Sequence, residues 1–329
     1  MADASPLAVV IQGAKEPRQV RGFEIIPTDV EIRFAPDLDA LEKALPGARV
    51  LFGWNFRGGD LPQAWHAADS LEWIQWSGAG VDGAMFDDLK NSNVLLTNAR
   101  GIFDRPMAEY ALGLMIAHAK KFSTAHDQQR ENRWRHLYST RMEGQRVLIV
   151  GVGAIGRAMA RLFRAFGLVV EGVGRTARTD DSDFARIHAV SDLIATLPGF
   201  DYVIMMAPFT PETENLFSDA AFDAMSEKAQ FINFGRGQQV DEPALIRALE
   251  GEKIAAAAVD VVCNEPLPPE DPLWLAPNLI ITPHSSGDYH TYLHDVTALF
   301  VKNLEKFRAG EPLINVVDKQ AGFVTAPLS

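Results

Sequence analysis

The chain predicts an α/β protein of two doubly wound parallel-sheet domains, a Rossmann nucleotide domain inserted into a flavodoxin-like substrate domain, with an inter-domain cleft. Three observations predict it. Short apolar runs alternate with stretches of helical spacing along nearly the whole chain, as expected of parallel strands with helices on both faces. An apolar strand, a Gly-x-Gly-x-x-Gly turn and an apolar-periodic helix stand together at 146–166. The 329 residues suffice for two full cores.

Taken in order, 7–11, 30–34, 50–54, 71–76 and 94–97 read as strands of the first sheet. Residues 37–45 carry Leu38, Leu41 and Leu45 at helical spacing and stop before Pro46-Gly47. A long helix is expected from Asp104, with Asp104 as a cap, Pro106 in the first turn and Glu109 near the positive end. Its apolar positions (Met107, Tyr110, Ala111, Leu114, Met115, Ala117) continue past Phe122 to about Trp134 in an increasingly polar pattern. A partly apolar helix of that length bridges domains or pairs with a partner subunit. The second sheet is expected from 147–150, 168–173, 202–206, 231–234, 254–262 and 279–281, with helices that include 219–225 and 242–249. A final helix over 289–307 leads back, and 313–317 is a short extended piece packed on the first domain. The substrate domain is thus 1–104 with 290–329, and the dinucleotide-binding domain 105–289.

The glycine turn carries the strongest chemical signal. Gly151 permits the tight turn, Gly153 lets a pyrophosphate approach the backbone, and Gly156 lets the helix sit close on the strand. The first helical N–H groups, at Ala154, Ile155 and Gly156, then face the phosphates. In an NAD site a carboxylate about 20 residues further on holds the ribose 2′-hydroxyl. Here that position is Gly174, and Arg175, Thr176 and Arg178 follow. Arginine forks suit a phosphate where a carboxylate would repel it, so NADP is expected, with NADPH preferred and NAD possible. The ordinary alternative is a solvated basic turn.

Composition excludes several classes. Lys plus Arg is 31 against 43 Asp plus Glu, a formal charge of -12, which is the wrong sign for non-specific binding of nucleic acid or an anionic membrane. The single cysteine, Cys263, allows no disulfide within the chain and no cysteine-based metal site, so no metal is expected. No basic leader opens the sequence and no apolar run reaches membrane-span length, so a cytoplasmic location is expected.

Three polar residues stand where apolar strands stop: Arg236 after 231–234, Glu265 after 254–262 and His284 after 279–281. Singly each has a plain reading, as a surface arginine, a loop acid or a strand-end histidine. Jointly they lie at the carboxyl ends of strands, where open α/β sheets bind ligands. They suit hydride transfer to the carbonyl of a 2-oxo acid. A histidine near neutral pKa donates the proton, a glutamate holds its ring, and a guanidinium grips the carboxylate and polarises the carbonyl.

These motifs resemble the D-isomer-specific 2-hydroxyacid dehydrogenase family over nearly the whole chain: Gly151 to Gly156, Phe234-Gly235-Arg236-Gly237, Ala258-Val259-Asp260-Val261 leading to Glu265-Pro266, and Thr282-Pro283-His284. The resemblance implies that Arg236 binds substrate, Glu265 supports His284 and His284 is the acid/base. It implies cofactor contacts at Met107, Ala207, Pro208, Phe234, Gly235, Asp260 and Ser286, with Asp260 at the nicotinamide amide. It implies substrate contacts at Trp54 and at the N–H groups of Gly78, Ala79 and Gly80, beside Arg236 and His284. Within the family the chain looks most like the NADP-preferring glyoxylate/hydroxypyruvate reductase branch, which reduces a small 2-oxo acid to the D-2-hydroxy acid. Trp54 also reads as plain core packing. Tyr289-His290 departs from the usual small residues and bears on substrate choice. The family further implies a homodimer built around the nucleotide domains. Alternatives left open are dehydrogenation of another small acid (a bulkier 2-oxo acid, a phosphorylated hydroxyacid, for which Arg57 and Arg100 are the basic candidates, or formate) and a nucleotide-sensing, corepressor-like interaction protein.

Overall fold

Among the described residues every strand ladder is parallel. The structure is a computed structural model describing residues 6–56 and 58–325, so Arg57 lies outside the described residues. The chain divides into two units, one running up to Phe103 and resuming at Tyr289, the other Asp104–Asp288.

In the first unit, β1 (Leu7–Gln12), β2 (Val30–Ala35), β3 (Val50–Gly53), β4 (Trp73–Trp76) and β5 (Leu95–Thr97) form a sheet ordered β2-β1-β3-β4-β5. This is the flavodoxin-like order. The central strands β1, β3 and β4 are short runs buried on both faces, as central parallel strands must be, whereas the edge strand β2 leaves Glu31 exposed. Gln12 pairs with Gly53 and Gly53 with Trp76, so three strand ends lie in one row. A Cβ on Gly53 would come 2.5 Å from the Trp76 ring, so only glycine lets that indole lie across β3. The helix Leu38–Ala44 begins where Asp37 accepts a hydrogen bond from the Ala40 N–H, 2.9 Å.

The last stretch of the chain completes this unit. The helix Tyr292–Ala309 brings Phe300 to stack on Phe52 at 4.3 Å and on Trp73 at 5.6 Å. Its buried Asn303 donates to Gln75 Oε1 (2.9 Å) and to the Ile314 carbonyl (3.1 Å). Beyond it the tail lies along β5: Val317 N–H donates to the Leu96 carbonyl and Lys319 Nζ donates to the carbonyls of Leu89, Ser92 and Val94.

In the second unit, β6 (Arg146–Val150), β7 (Val169–Gly174), β8 (Ile187–Ala189), β9 (Tyr202–Met205), β10 (Gln230–Asn233), β11 (Ala256–Val259) and β12 (Leu279–Ile281) are ordered β12-β11-β10-β9-β6-β7-β8. That is the Rossmann order with a seventh strand added. Two apolar clusters fill its two faces, one centred on Phe217, Phe222 and Phe231, the other on Met159, Phe163 and Tyr202.

Three expectations are corrected. The helix from Asp104 does not reach Trp134. It spans Asp104–Ala119, breaks at Lys121 (φ 57°), and restarts as Phe122–Arg130. The break has a cause: the returning segment caps it, with Thr140 N–H donating to the Ala119 carbonyl at 2.9 Å and Lys120 Nζ to the Thr140 carbonyl at 2.7 Å. Asp104 is the first helical residue rather than the flanking cap. The strand expected at 254–262 is only Ala256–Val259, because the chain turns at Asp260. β8, three residues after a polar loop, carries no apolar run and was not expected.

Candidate active site

All three polar strand-end residues belong to the second unit, and they follow neighbouring strands: Arg236 after β10, Glu265 after β11 and His284 after β12. His284 Nδ1 lies 2.7 Å from Glu265 Oε2, with the two side chains 27% and 32% exposed. A carboxylate only accepts, so Nδ1 carries the proton of this hydrogen bond. Glu265 is held in turn by the Val262 N–H, 3.3 Å from its Oε1.

His284 stands in an unusual backbone state, φ 52°, which costs a non-glycine residue about 1–2 kcal/mol. Asp260 makes that turn stable. Its carbonyl accepts the His284 N–H at 2.8 Å. Its carboxylate, in a residue 2% exposed, accepts Thr282 Oγ1 (2.6 Å), the Ser285 N–H (2.9 Å) and the Ser286 N–H (2.9 Å). These bonds load Oδ1 twice and Oδ2 once, so Oδ2 keeps room for one further donor such as a carboxamide N–H. Ser286, 3% exposed, thereby serves the turn through its backbone.

Arg236 is fixed through a residue that sequence reasoning missed. Gln239 is fully buried; its Oε1 accepts the Arg236 N–H at 2.7 Å, and its Nε2 donates to the carbonyls of Ala207 (3.1 Å) and Pro208 (3.0 Å). One amide thus ties the loop after β9 to the loop after β10. A Cβ on Gly235 would sit 2.0 Å from Gln239 Oε1, so the glycine is required by this contact. Nothing in the sequence marks Gln239 apart from its place after the arginine. Phe234 is 4% exposed and its ring packs edge-on against Tyr110 at 5.9 Å. Met107 is partly buried against the same cluster.

The glycine turn has the shape a dinucleotide needs. Gly151 is at φ 119°, and a Cβ there would meet Met206 and Ala207 backbone at 2.6 Å. A Cβ on Gly156 would come 2.1 Å from the Gly151 carbonyl oxygen, the close helix–strand approach foreseen. Among the described residues a Cβ on Gly153 would meet nothing within 4 Å, and no side chain caps the helix Ala154–Ala165. An uncapped helix start beneath open space fits a pyrophosphate. At Gly174 a Cβ would press Val152 Cγ2 at 3.1 Å, so a side chain there would require Val152 to give by a few tenths of an ångström. Arg175 and Thr176 are exposed on the following turn, whereas Arg178 Nη2 is turned to Asp181 Oδ2 at 3.1 Å.

The remaining residues singled out from the sequence lie in the first unit. Gly78 is buried and Ala79 half-buried after β4, their carbonyls accepting from the Ala99 N–H (3.0 Å) and Asn98 Nδ2 (2.6 Å). Gly80 is exposed, and Trp54 is half-buried with its ring edge-on to Phe52 at 5.6 Å. Burial, helped by donation of its hydroxyl to Asp295, raises the Tyr289 pKa to about 12. His290 lines a cavity of about 850 Å³ within this unit, together with Arg18, Arg21 and Phe23.

Comparison with known proteins agrees with this picture. The family model "D-isomer specific 2-hydroxyacid dehydrogenase, NAD binding domain" matches residues 112–286. A glyoxylate reductase of Korarchaeum cryptofilum is 28% identical over 271 residues, covering 80% of this chain and 81% of the relative. A D-isomer specific 2-hydroxyacid dehydrogenase family protein of Aeromonas salmonicida superposes with a TM-score of 0.83 at 30% identity, over 95% of this chain and 99% of that one. An NADPH-dependent glyoxylate/hydroxypyruvate reductase of Sinorhizobium meliloti, solved with NADP and sulfate, superposes with a TM-score of 0.82 at 26% identity, over 96% and 100%. A Rossmann unit with an Arg, Glu and His on three successive strand ends defines a nicotinamide-dependent oxidoreductase. The chain belongs to the D-isomer specific 2-hydroxyacid dehydrogenase family.

Proposed function

We propose that the protein reduces a small 2-oxo acid, of the glyoxylate or hydroxypyruvate type, to the D-2-hydroxy acid with NADPH. The observation that carries the chemistry is the His284–Glu265 pair at 2.7 Å, one strand from Arg236. The substrate and cofactor rest on relatives named glyoxylate reductase and on the NADP-bound neighbour. The sequence around Gly174, Arg175 and Thr176 supports the same cofactor.

Gly151, Gly153, Ala154, Ile155 and Gly156 hold the pyrophosphate, Arg175 with Thr176 the 2′-phosphate, and Ala207, Pro208, Gly235 and Asp260 the nicotinamide side. When bound, the reduced nicotinamide supplies hydride to the carbonyl carbon. The Arg236 guanidinium binds the substrate carboxylate and draws charge from the carbonyl oxygen. His284 gives its Nε2 proton to that oxygen as negative charge develops, and Glu265 holds the ring through Nδ1. Trp54 and the N–H groups of Gly78, Ala79 and Gly80 are proposed substrate contacts, on the family resemblance.

The test is NADPH oxidation against glyoxylate, hydroxypyruvate, pyruvate and phenylpyruvate, repeated with NADH. Small acids with NADPH support the reading. Preference for phenylpyruvate discards the Trp54 assignment, preference for NADH discards the phosphate site, and tight NADPH binding without turnover favours a sensor. His284→Ala should lower turnover about 100-fold or more; near-normal turnover removes the general-acid role. We also infer a homodimer that uses Asp104–Ala119 and the segment after it, where Trp134 and Tyr138 are exposed. A monomeric mass by light scattering at micromolar concentration contradicts it. Among the described residues no helix is long and apolar enough to cross a membrane. Together with the acidic charge this supports the cytoplasm, which cell fractionation checks.

A further inference from the structure

Arg178 does not stand alone on its turn. Its Nε and Nη2 donate to Asp181 Oδ2 at 3.2 and 3.1 Å. Asp181, whose side chain is 6% exposed, is gripped from the other side by Arg157 in a two-point fork, Nη1 to Oδ1 at 3.0 Å and Nη2 to Oδ2 at 2.8 Å. Its Oδ1 also accepts the Asp183 N–H at 3.0 Å.

The fork belongs to a larger clasp. Arg157, Arg161 and Arg164 run down one face of the helix Ala154–Ala165, at the three- and four-residue spacing that aligns side chains. Arg157 and Arg161 reach Asp183 Oδ2 at 2.8 and 3.1 Å, and Arg164 reaches the Ser182 carbonyl at 2.6 Å. The loop after β7 is therefore fastened to the same helix whose start opens above Gly153.

We propose that Asp181 is a positioning residue for recognition of the cofactor's 2′-phosphate, an inference that rests on the NADPH reading above. A guanidinium has more than one hydrogen-bonding edge. Asp181 takes the Nε–Nη2 edge of Arg178 and leaves the Nη1 end for a phosphate. A lone carboxylate here would repel that phosphate. Arg157 cancels it, so Arg157, Asp181 and Arg178 together carry one positive charge. Arg157 keeps Asp183 as a partner without Asp181, whereas both bonds that orient Arg178 within the clasp end on Asp181.

The test uses the full chain and two adenylate probes, adenosine 2′,5′-bisphosphate and 5′-AMP, measured by calorimetry with no turnover involved. Asp181→Ala should weaken the bisphosphate about tenfold, near 1.4 kcal/mol, while 5′-AMP stays within about twofold. Asp181→Asn, which keeps the shape and one oxygen, should fall between. The ratio of the two affinities cancels general loss of stability, which moves both probes alike. Equal changes for both probes in both variants, or tighter bisphosphate binding, overturn the proposal; the latter makes Asp181 a repelling group. A wild-type protein that does not distinguish the probes removes the NADPH reading and this proposal with it. A discriminating wild type with an unchanged ratio in both variants removes this proposal alone.

Discussion

The buried carboxylate of Asp260 carries the turn that presents His284, and the structure sets what its loss should do. Asp260→Asn preserves shape but halves the acceptors. Its one oxygen still serves Thr282 Oγ1 and the Ser285 N–H, now without charge. Its amide nitrogen faces the Ser286 N–H, which lay 2.9 Å from Oδ2, donor against donor. A hydrogen bond to a charged group contributes about 1.5–3 kcal/mol, and a buried donor left unpaired costs about 1–3 kcal/mol. The expected loss is about 3 kcal/mol, which for a unit of this size lowers Tm by about 6–12 °C. Calorimetric melts of wild type and D260N measure it. Steady-state turnover well below the melt should also fall by about tenfold or more, because the backbone of His284 hangs on the same residue. If D260N melts within about 1 °C of wild type, the carboxylate does not hold this turn and the reasoning is wrong.

Other outcomes follow from the same geometry. Gly156→Ala puts a Cβ 2.1 Å from the Gly151 carbonyl, so NADPH affinity and Tm should both drop; unchanged binding by fluorescence titration contradicts the close approach. Gln239→Leu should raise KM for the oxo acid more than KM for NADPH, since it frees Arg236, and equal changes argue for general damage only. Arg175→Ala should raise KM for NADPH far more than for NADH, and an unchanged preference removes the phosphate site. The Arg157 guanidinium, against the opposing effect of burial, holds the Asp181 carboxyl well below the usual carboxylate range. A carboxyl depressed in the folded state stabilises above its unfolded pKa, about 3.9, and less as pH falls below it. The gap in Tm between wild type and D181N should therefore be full at pH 7 and narrow below about pH 4; a gap independent of pH assigns the loss to packing.

What the sequence made legible was whatever depends on apolar runs and glycines. The parallel strands, the glycine turn and the three strand-end residues all follow from local pattern, because a buried strand must be apolar and a close approach must lack a side chain. What escaped depends on partners far along the chain. The break at Lys121 is set by Thr140 returning to the helix end, which no helical periodicity records. Gln239 looks like any polar residue until the Ala207 and Pro208 carbonyls are brought to it. Arg178 read as a phosphate ligand from its charge alone, and only the fold shows Asp181 at its side.

The helix Tyr292–Ala309 and the tail beside β5 belong to a unit that begins with β1. During synthesis the five strands of that unit emerge first, yet Phe300 is the ring that covers Phe52 and Trp73, and it leaves the ribosome some two hundred residues later. The intervening unit is continuous and has its whole core in hand by Asp288. The inserted unit therefore has all its residues before the first sheet has the ring that covers the aromatic surface of Phe52 and Trp73. At about 5–20 residues per second that surface waits some ten to forty seconds for its covering ring.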